Sequence, residues 1–126
     1  MTWTRPAYMG LAWLFMLCVL LQFFFAGLFV LGGESIDLHE AMGYMVLHLI
    51  PILMFVVAII GKMGRKMIGL TFLLFALVFI QPIFVEEDLD GVIRALHVPM
   101  ALIIAALGHH LAHTATQAYK GASVAA

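Results

Sequence analysis

Four apolar runs, each about long enough to cross a hydrocarbon core, leave this chain little choice of fold. They cover residues 8–31, 39–60, 67–85 and 92–111. A helix of about 20 residues is about 30 Å long, the apolar thickness of a bilayer. The breaks, Gly32–Leu38, Gly61–Lys66 and Glu86–Gly91, are too short for a soluble domain, so consecutive helices must be antiparallel neighbours. The expected fold is all-α, an integral membrane four-helix bundle running up-down-up-down, with residues 1–126 forming one domain. Composition agrees: 65% of residues are apolar and 10% charged, which nearly excludes a water-soluble domain.

Arg5 precedes the first run as it would in a signal peptide, but the run is longer than such a segment and no A-x-A cleavage site follows, so it reads as a retained span. Cys18, the single cysteine, lies within that span and offers neither a disulfide nor a thiolate cluster. Arg5, Lys62, Arg65, Lys66 and Lys120 fall on the termini and the second connection. By the positive-inside rule that side is cytoplasmic, so the chain is expected in the cytoplasmic (inner) membrane with both termini inside. All seven acidic residues, Glu34, Asp37, Glu40, Glu86, Glu87, Asp88 and Asp90, lie in or beside the first and third connections, where Arg94 is the one basic residue. That outer face is either plain solvation of short loops or a landing patch for a basic soluble redox protein.

Ionisable side chains inside a span are costly and therefore informative. His39 opens the second helix from the outer side, and His97 sits about one and a half turns into the fourth, which also begins outside. Second and fourth helices are diagonal in such a bundle, so two side chains at one depth can face each other across its axis. Neutral imidazoles so placed can hold a haem iron from both faces. A macrocycle needs small neighbours, and helical spacing puts Ala101, Ala105, Gly108 and Ala112 with His97, and Gly43 with His39. Arg94, one turn outward from His97, is placed to pair with propionates. The competing reading is tight helix packing through small residues, with each histidine bonded to a backbone carbonyl.

At about 100° per residue His48 points to the opposite side of its helix from His39, and His109, His110 and His113 turn away from His97, so one cofactor is expected and not two. His48 reads as structural, bonded to a neighbouring helix, or as lining a quinone or proton path. The His109, His110, His113 cluster lacks a carboxylate or a ligand from another segment and reads as a solvated helix end. Gln22 and Gln81 suggest interhelical hydrogen bonds or pocket lining. Pro51, Pro82 and Pro99 interrupt helical bonding, and Pro99 frees the Ala95 carbonyl near His97. The nine methionines show no ligand spacing and read as packing. Nothing matches a phosphate loop, a nucleophile elbow or a nucleic-acid-binding surface.

The segments Gln22-Phe23-Phe24-Phe25-Ala26-Gly27, Asp37-Leu38-His39-Glu40-Ala41-Met42-Gly43-Tyr44 and Ala95-Leu96-His97-Val98-Pro99-Met100-Ala101-Leu102 resemble a family of small bacterial four-helix membrane proteins with no settled function. That resemblance spans nearly the whole chain and implies the fold. The H-x-x-x-G-Y element at His39, Gly43 and Tyr44 is similar to helix starts of membrane b-type cytochromes and haem A synthase, where such histidines bind haem. The chain lacks the further histidine pair of two-haem members and has one bundle where haem A synthase has more.

The function expected is a small membrane b-type cytochrome with one bis-histidine haem b near the outer face, exchanging electrons with a quinone or an external partner. The alternative is a non-enzymatic accessory subunit of a larger respiratory or photosynthetic membrane complex, its histidines structural or ligating a chlorophyll-type pigment. Membrane lipid, a larger complex or further copies of the chain are the expected partners, and nucleic acid is not. Transport is disfavoured, since no inverted repeat is evident and the one acidic residue within a span, Glu40, sits at the outer end of the second.

Overall fold

The computed structural model describes residues 3–124, with side chains to residue 121. Regular structure among the described residues is helical throughout, and four helices are long and apolar enough to cross a membrane. These are α1 (Thr4–Gly32), α2 (Asp37–Ile60), α3 (Arg65–Val85) and α4 (Gly91–Gly121). Helical hydrogen bonding in α4 continues to Val124, well past the end of the apolar run at Leu111. Hydropathy marks the part of a helix suited to lipid, and after Leu111 no proline follows and no glycine occurs before Gly121 to stop the coil.

Short connections have the consequence expected of them: α1 packs on α2 and α4, α3 packs on the same two, and α2 and α4 are diagonal. The fully buried residues lie in the half of the bundle nearest the termini. They include Tyr8, Ala12 and Phe15 on α1, Ile50, Met54 and Ala58 on α2, Leu74 and Val78 on α3, and Leu111, Ala112 and Ala115 on α4. From 20 to 49 and from 79 to 103 no residue is fully buried. Large apolar side chains instead cover the exterior, with Leu20 63% and Leu102 57% exposed.

Two contacts set the tight half. Thr71 donates its hydroxyl hydrogen to the Met67 carbonyl at 2.8 Å, so the Tyr8 hydroxyl donates to Thr71 Oγ1 and ties α1 to its diagonal partner α3. Gly108 lets α4 press against α1, because a Cβ there would stand 2.8 Å from the Phe15 ring. Gly108 and the fully buried Ala112 are thus spent on helix packing and leave no slot for a macrocycle, a correction to the role expected from their spacing. Room near His97 depends on Ala101 and its surroundings alone, and Ala101 is half-buried.

Departures from regular helix gather in the other half. In α2 a π-helical turn, Met42–Leu47, separates Asp37–Ala41 from His48–Ile60. Pro51 has no N–H for the Leu47 carbonyl, and a widened turn upstream relieves the clash its ring would cause. α3 closes in a 3-10 turn, Gln81–Val85, with Pro82 as its second residue. α4 breaks at Leu96, between a short coil Gly91–Ala95 and the long segment starting at His97, just ahead of Pro99. Asp90 caps the short coil by accepting the Val92 N–H at 2.8 Å.

α2 ends in a Schellman turn. Met63 N–H donates to the Ala58 carbonyl at 3.1 Å and Lys62 N–H to the Ile59 carbonyl at 3.0 Å. The left-handed position of that turn belongs to Lys62, at φ 49°, where glycine is the usual occupant. Gly61, one residue earlier, is small for another reason: a Cβ there would lie 3.0 Å from the Thr4 side chain.

Candidate functional site

His39 sits in the first turn of α2, opposite Gln22 on α1. The Gln22 side-chain amide donates to the His39 carbonyl at 2.8 Å, and His39 Nδ1 donates to the Gln22 backbone carbonyl at 3.2 Å. α3 and α4 repeat the arrangement. The Gln81 amide donates to the His97 carbonyl at 2.7 Å, and His97 Nδ1 donates to the Gln81 carbonyl at 3.3 Å. Each hairpin thus carries one reciprocal clasp, spanning 17 residues in the first and 16 in the second. Local irregularity makes this possible, since the 3-10 turn begins at Gln81 and the break in α4 directly precedes His97.

The clasps fix the chemistry of both rings. A carbonyl oxygen can only accept, so each Nδ1 carries the hydrogen and, in the neutral ring, each Nε2 keeps its lone pair. Among the described residues neither Nε2 has a hydrogen-bond partner. The two half-buried rings face one another across the α2–α4 diagonal with centroids 6.2 Å apart and planes tilted by 55°. Beside them, Gln22 Oε1 and Gln81 Oε1 are buried without a partner. Two lone-pair nitrogens and two unpaired acceptor oxygens therefore gather in the half of the bundle that holds no fully buried residue.

Of the other residues singled out by sequence, Gly43 lies against the first clasp: a Cβ there would be 3.0 Å from Gln22 Nε2, so its smallness makes way for the amide. Arg94 is exposed on the short coil ahead of His97, and Ala101 lies one turn beyond His97 in α4. The reciprocal clasp is the feature that sequence reasoning missed. Its signal was present as two Gln and His pairs at nearly the same separation, each bridging one hairpin.

The remaining histidines do other work. His48 Nδ1 donates to the Gly43 carbonyl at 2.6 Å inside the π-helical turn, and its ring stacks on Tyr44 and meets the edge of Phe79 at 4.6 Å. It faces α3, away from the diagonal pair. His109 meets Trp13 edge-on at 6.2 Å and stacks with His113, which accepts from the Gln117 amide at 3.5 Å. Among the described residues no group of three or more His, Cys, Asp or Glu side chains is arranged to hold a metal ion.

Fold and site together define a class: an all-helical bundle of four membrane-length helices with a clasped histidine pair on one diagonal. The chain belongs to the DUF6220 family, a family of unknown function whose model matches residues 22–87. That match takes in Gln22, His39 and Gln81 and stops short of His97. No curated protein and no solved structure matches the chain. The likeness of the His39 helix start to haem-binding cytochrome helices thus rests on its own few residues.

Proposed function

We propose that the protein is a small b-type cytochrome of the cytoplasmic membrane that holds one haem between His39 and His97 near the outer face and passes electrons to or from a quinone or a soluble partner. The observation that carries this reading is the pair of rings with hydrogen-bonded Nδ1 and open Nε2 on diagonal helices. A backbone carbonyl bonded to the far nitrogen is how metal-binding histidines are commonly oriented. With ring centroids 6.2 Å apart, His39 and His97 are the residues that would hold the haem iron.

Arg94, exposed ahead of His97, suits a propionate. Bound there, a bis-imidazole iron supplies one-electron redox chemistry with no open coordination position. The chain's own residues orient the ligands, through the clasps, and surround the site with apolar spans. Exposed Glu34, Asp37, Glu40, Glu86, Glu87, Asp88 and Asp90 at that end favour a basic soluble redox partner. The positive-inside rule sets the orientation, with Arg5, Lys62, Arg65, Lys66 and Lys120 towards the cytoplasm.

A second reading, an accessory subunit packed into a larger complex, draws on the apolar residues most exposed at the histidine end: Val30 72%, Leu31 88%, Met45 73% and Val92 77%. A reduced-minus-oxidised visible spectrum of the detergent-purified protein, with a pyridine haemochrome assay, separates the two. A sharp low-spin b-type signal near one haem per chain, lost in both His39→Ala and His97→Ala, is expected for the cytochrome. No Soret band after expression with ample haem would leave the accessory subunit as the better reading.

A further inference from the structure

We infer that the opposite end of the bundle carries a binding site for a phosphate anion, with the headgroup of an anionic lipid as the source the geometry favours. A cleft of about 340 Å³ opens there between the start of α1, the α2–α3 connection and the late turns of α4. Its cations are Arg5 and Lys62, and its walls include Tyr8, Met63, Met67 and Ala115. The seven acidic residues all lie in or beside the two connections at the far end of the bundle, so among the described residues no acidic side chain stands at this end. Tyr8 is committed to Thr71, which leaves Arg5 and Lys62 as the charged groups facing the cleft.

Lys62 supplies the second and independent observation. It holds the left-handed position of the Schellman turn, which glycine fills at no steric cost. Glycine is available one residue earlier, where Thr4 requires it. A strained lysine in the remaining slot means that backbone ease has been given up for a positive side chain at the cleft mouth. Arginine presents a planar fork to phosphate oxygens and lysine a point charge. Basic pockets between helices at the cytoplasmic surface suit anionic headgroups, and the methionine walls suit the first acyl carbons. The proposal shares the membrane placement of the bundle with the cytochrome reading and uses none of its haem argument.

The test is native mass spectrometry of the full chain in neutral detergent, titrated with phosphatidylglycerol or phosphatidylcholine and with inorganic phosphate as competitor. Phosphatidylglycerol is expected to occupy the protein at least about tenfold more readily, and Arg5→Gln or Lys62→Gly to cut that preference about fivefold each. Lys62→Gly should at the same time raise the Tm, because it relieves the backbone; a lysine kept for structure alone would not separate the two readouts. Lys66→Gln removes a like charge from the same connection, outside the cleft, and should leave the preference unchanged. Displacement of the lipid by millimolar inorganic phosphate would assign the site to free phosphate as its source. Equal uptake of the two lipids, or a preference unaltered by both cleft variants, overturns the proposal. Uptake of neither lipid overturns it as well.

Discussion

Gln22 and His39 hold each other twice, each giving its side chain to the other's backbone carbonyl, at 2.8 and 3.2 Å. The exchange links α1 to α2 where neither helix has a fully buried residue to do so. It also selects the imidazole tautomer, and Gln81 and His97 do the same for the second hairpin. The glutamines thus act on the histidines through hydrogen bonds, as positioning residues, with one acceptor oxygen apiece left unpaired.

Replacing Gln22 or Gln81 by Met removes one interhelical bond, worth about 0.6–2 kcal/mol. It also removes a buried unpaired oxygen, whose cost is about 1–3 kcal/mol. The two terms oppose, so each variant should stay within about 1 kcal/mol of the parent, and the two should match because the clasps are copies. Denaturant unfolding in detergent checks this. A much larger loss in either one would mean that its Oε1 has acquired a partner.

His97→Met keeps a ligand of similar reach but exchanges an imidazole for a thioether, which stabilises the reduced iron. On the cytochrome reading this variant should retain haem with a raised midpoint potential, read by spectroscopic redox titration, whereas His48→Met should leave the potential where it was. An unchanged potential in His97→Met would remove His97 as a ligand.

Gly108→Ala puts a methyl group 2.8 Å from the Phe15 ring, and Phe15, itself fully buried, has nowhere to swing. Overpacking of this kind costs about 1–3 kcal/mol. Phe15→Leu in the same chain should recover part of the loss, and the double-mutant cycle should give a coupling of about 0.5–3 kcal/mol. Additive effects would show that the two positions do not share the contact.

Tyr8→Phe and Thr71→Val remove the same hydrogen bond at unequal cost. Without the tyrosine hydroxyl, Thr71 still donates to Met67, so the loss is about 1 kcal/mol. Without Thr71, the hydroxyl of fully buried Tyr8 is stranded, which costs about 1–3 kcal/mol. Thermal unfolding in detergent should rank Thr71→Val below Tyr8→Phe, and the reverse order would mean that the hydroxyl finds another acceptor.

Four membrane-length helices and their neighbour relations were legible because apolar length and connection length leave no alternative. The histidine diagonal followed from the same topology, since two residues at one depth on non-adjacent helices must face the axis or lipid. Spacing cannot say which neighbour a small residue meets: Gly108 packs on Phe15, and Gly43 makes way for the Gln22 amide. The reach of α4 beyond Leu111 was hidden because hydropathy reports solvent and not hydrogen bonding. The two Gln and His pairs were visible, but their reciprocal bonds were not, because those run to main-chain carbonyls that side-chain spacing does not report.

Each clasp closes within its own hairpin, but the two rings meet only when the hairpins dock. Orientation of the ligands is therefore a local property of the chain, and their separation a tertiary one. Whatever binds between the rings must fasten one hairpin to the other, and its binding energy adds directly to the cohesion of the assembled bundle. On the cytochrome reading the half without buried residues is the joint between the two hairpins, and a bound haem would strengthen it.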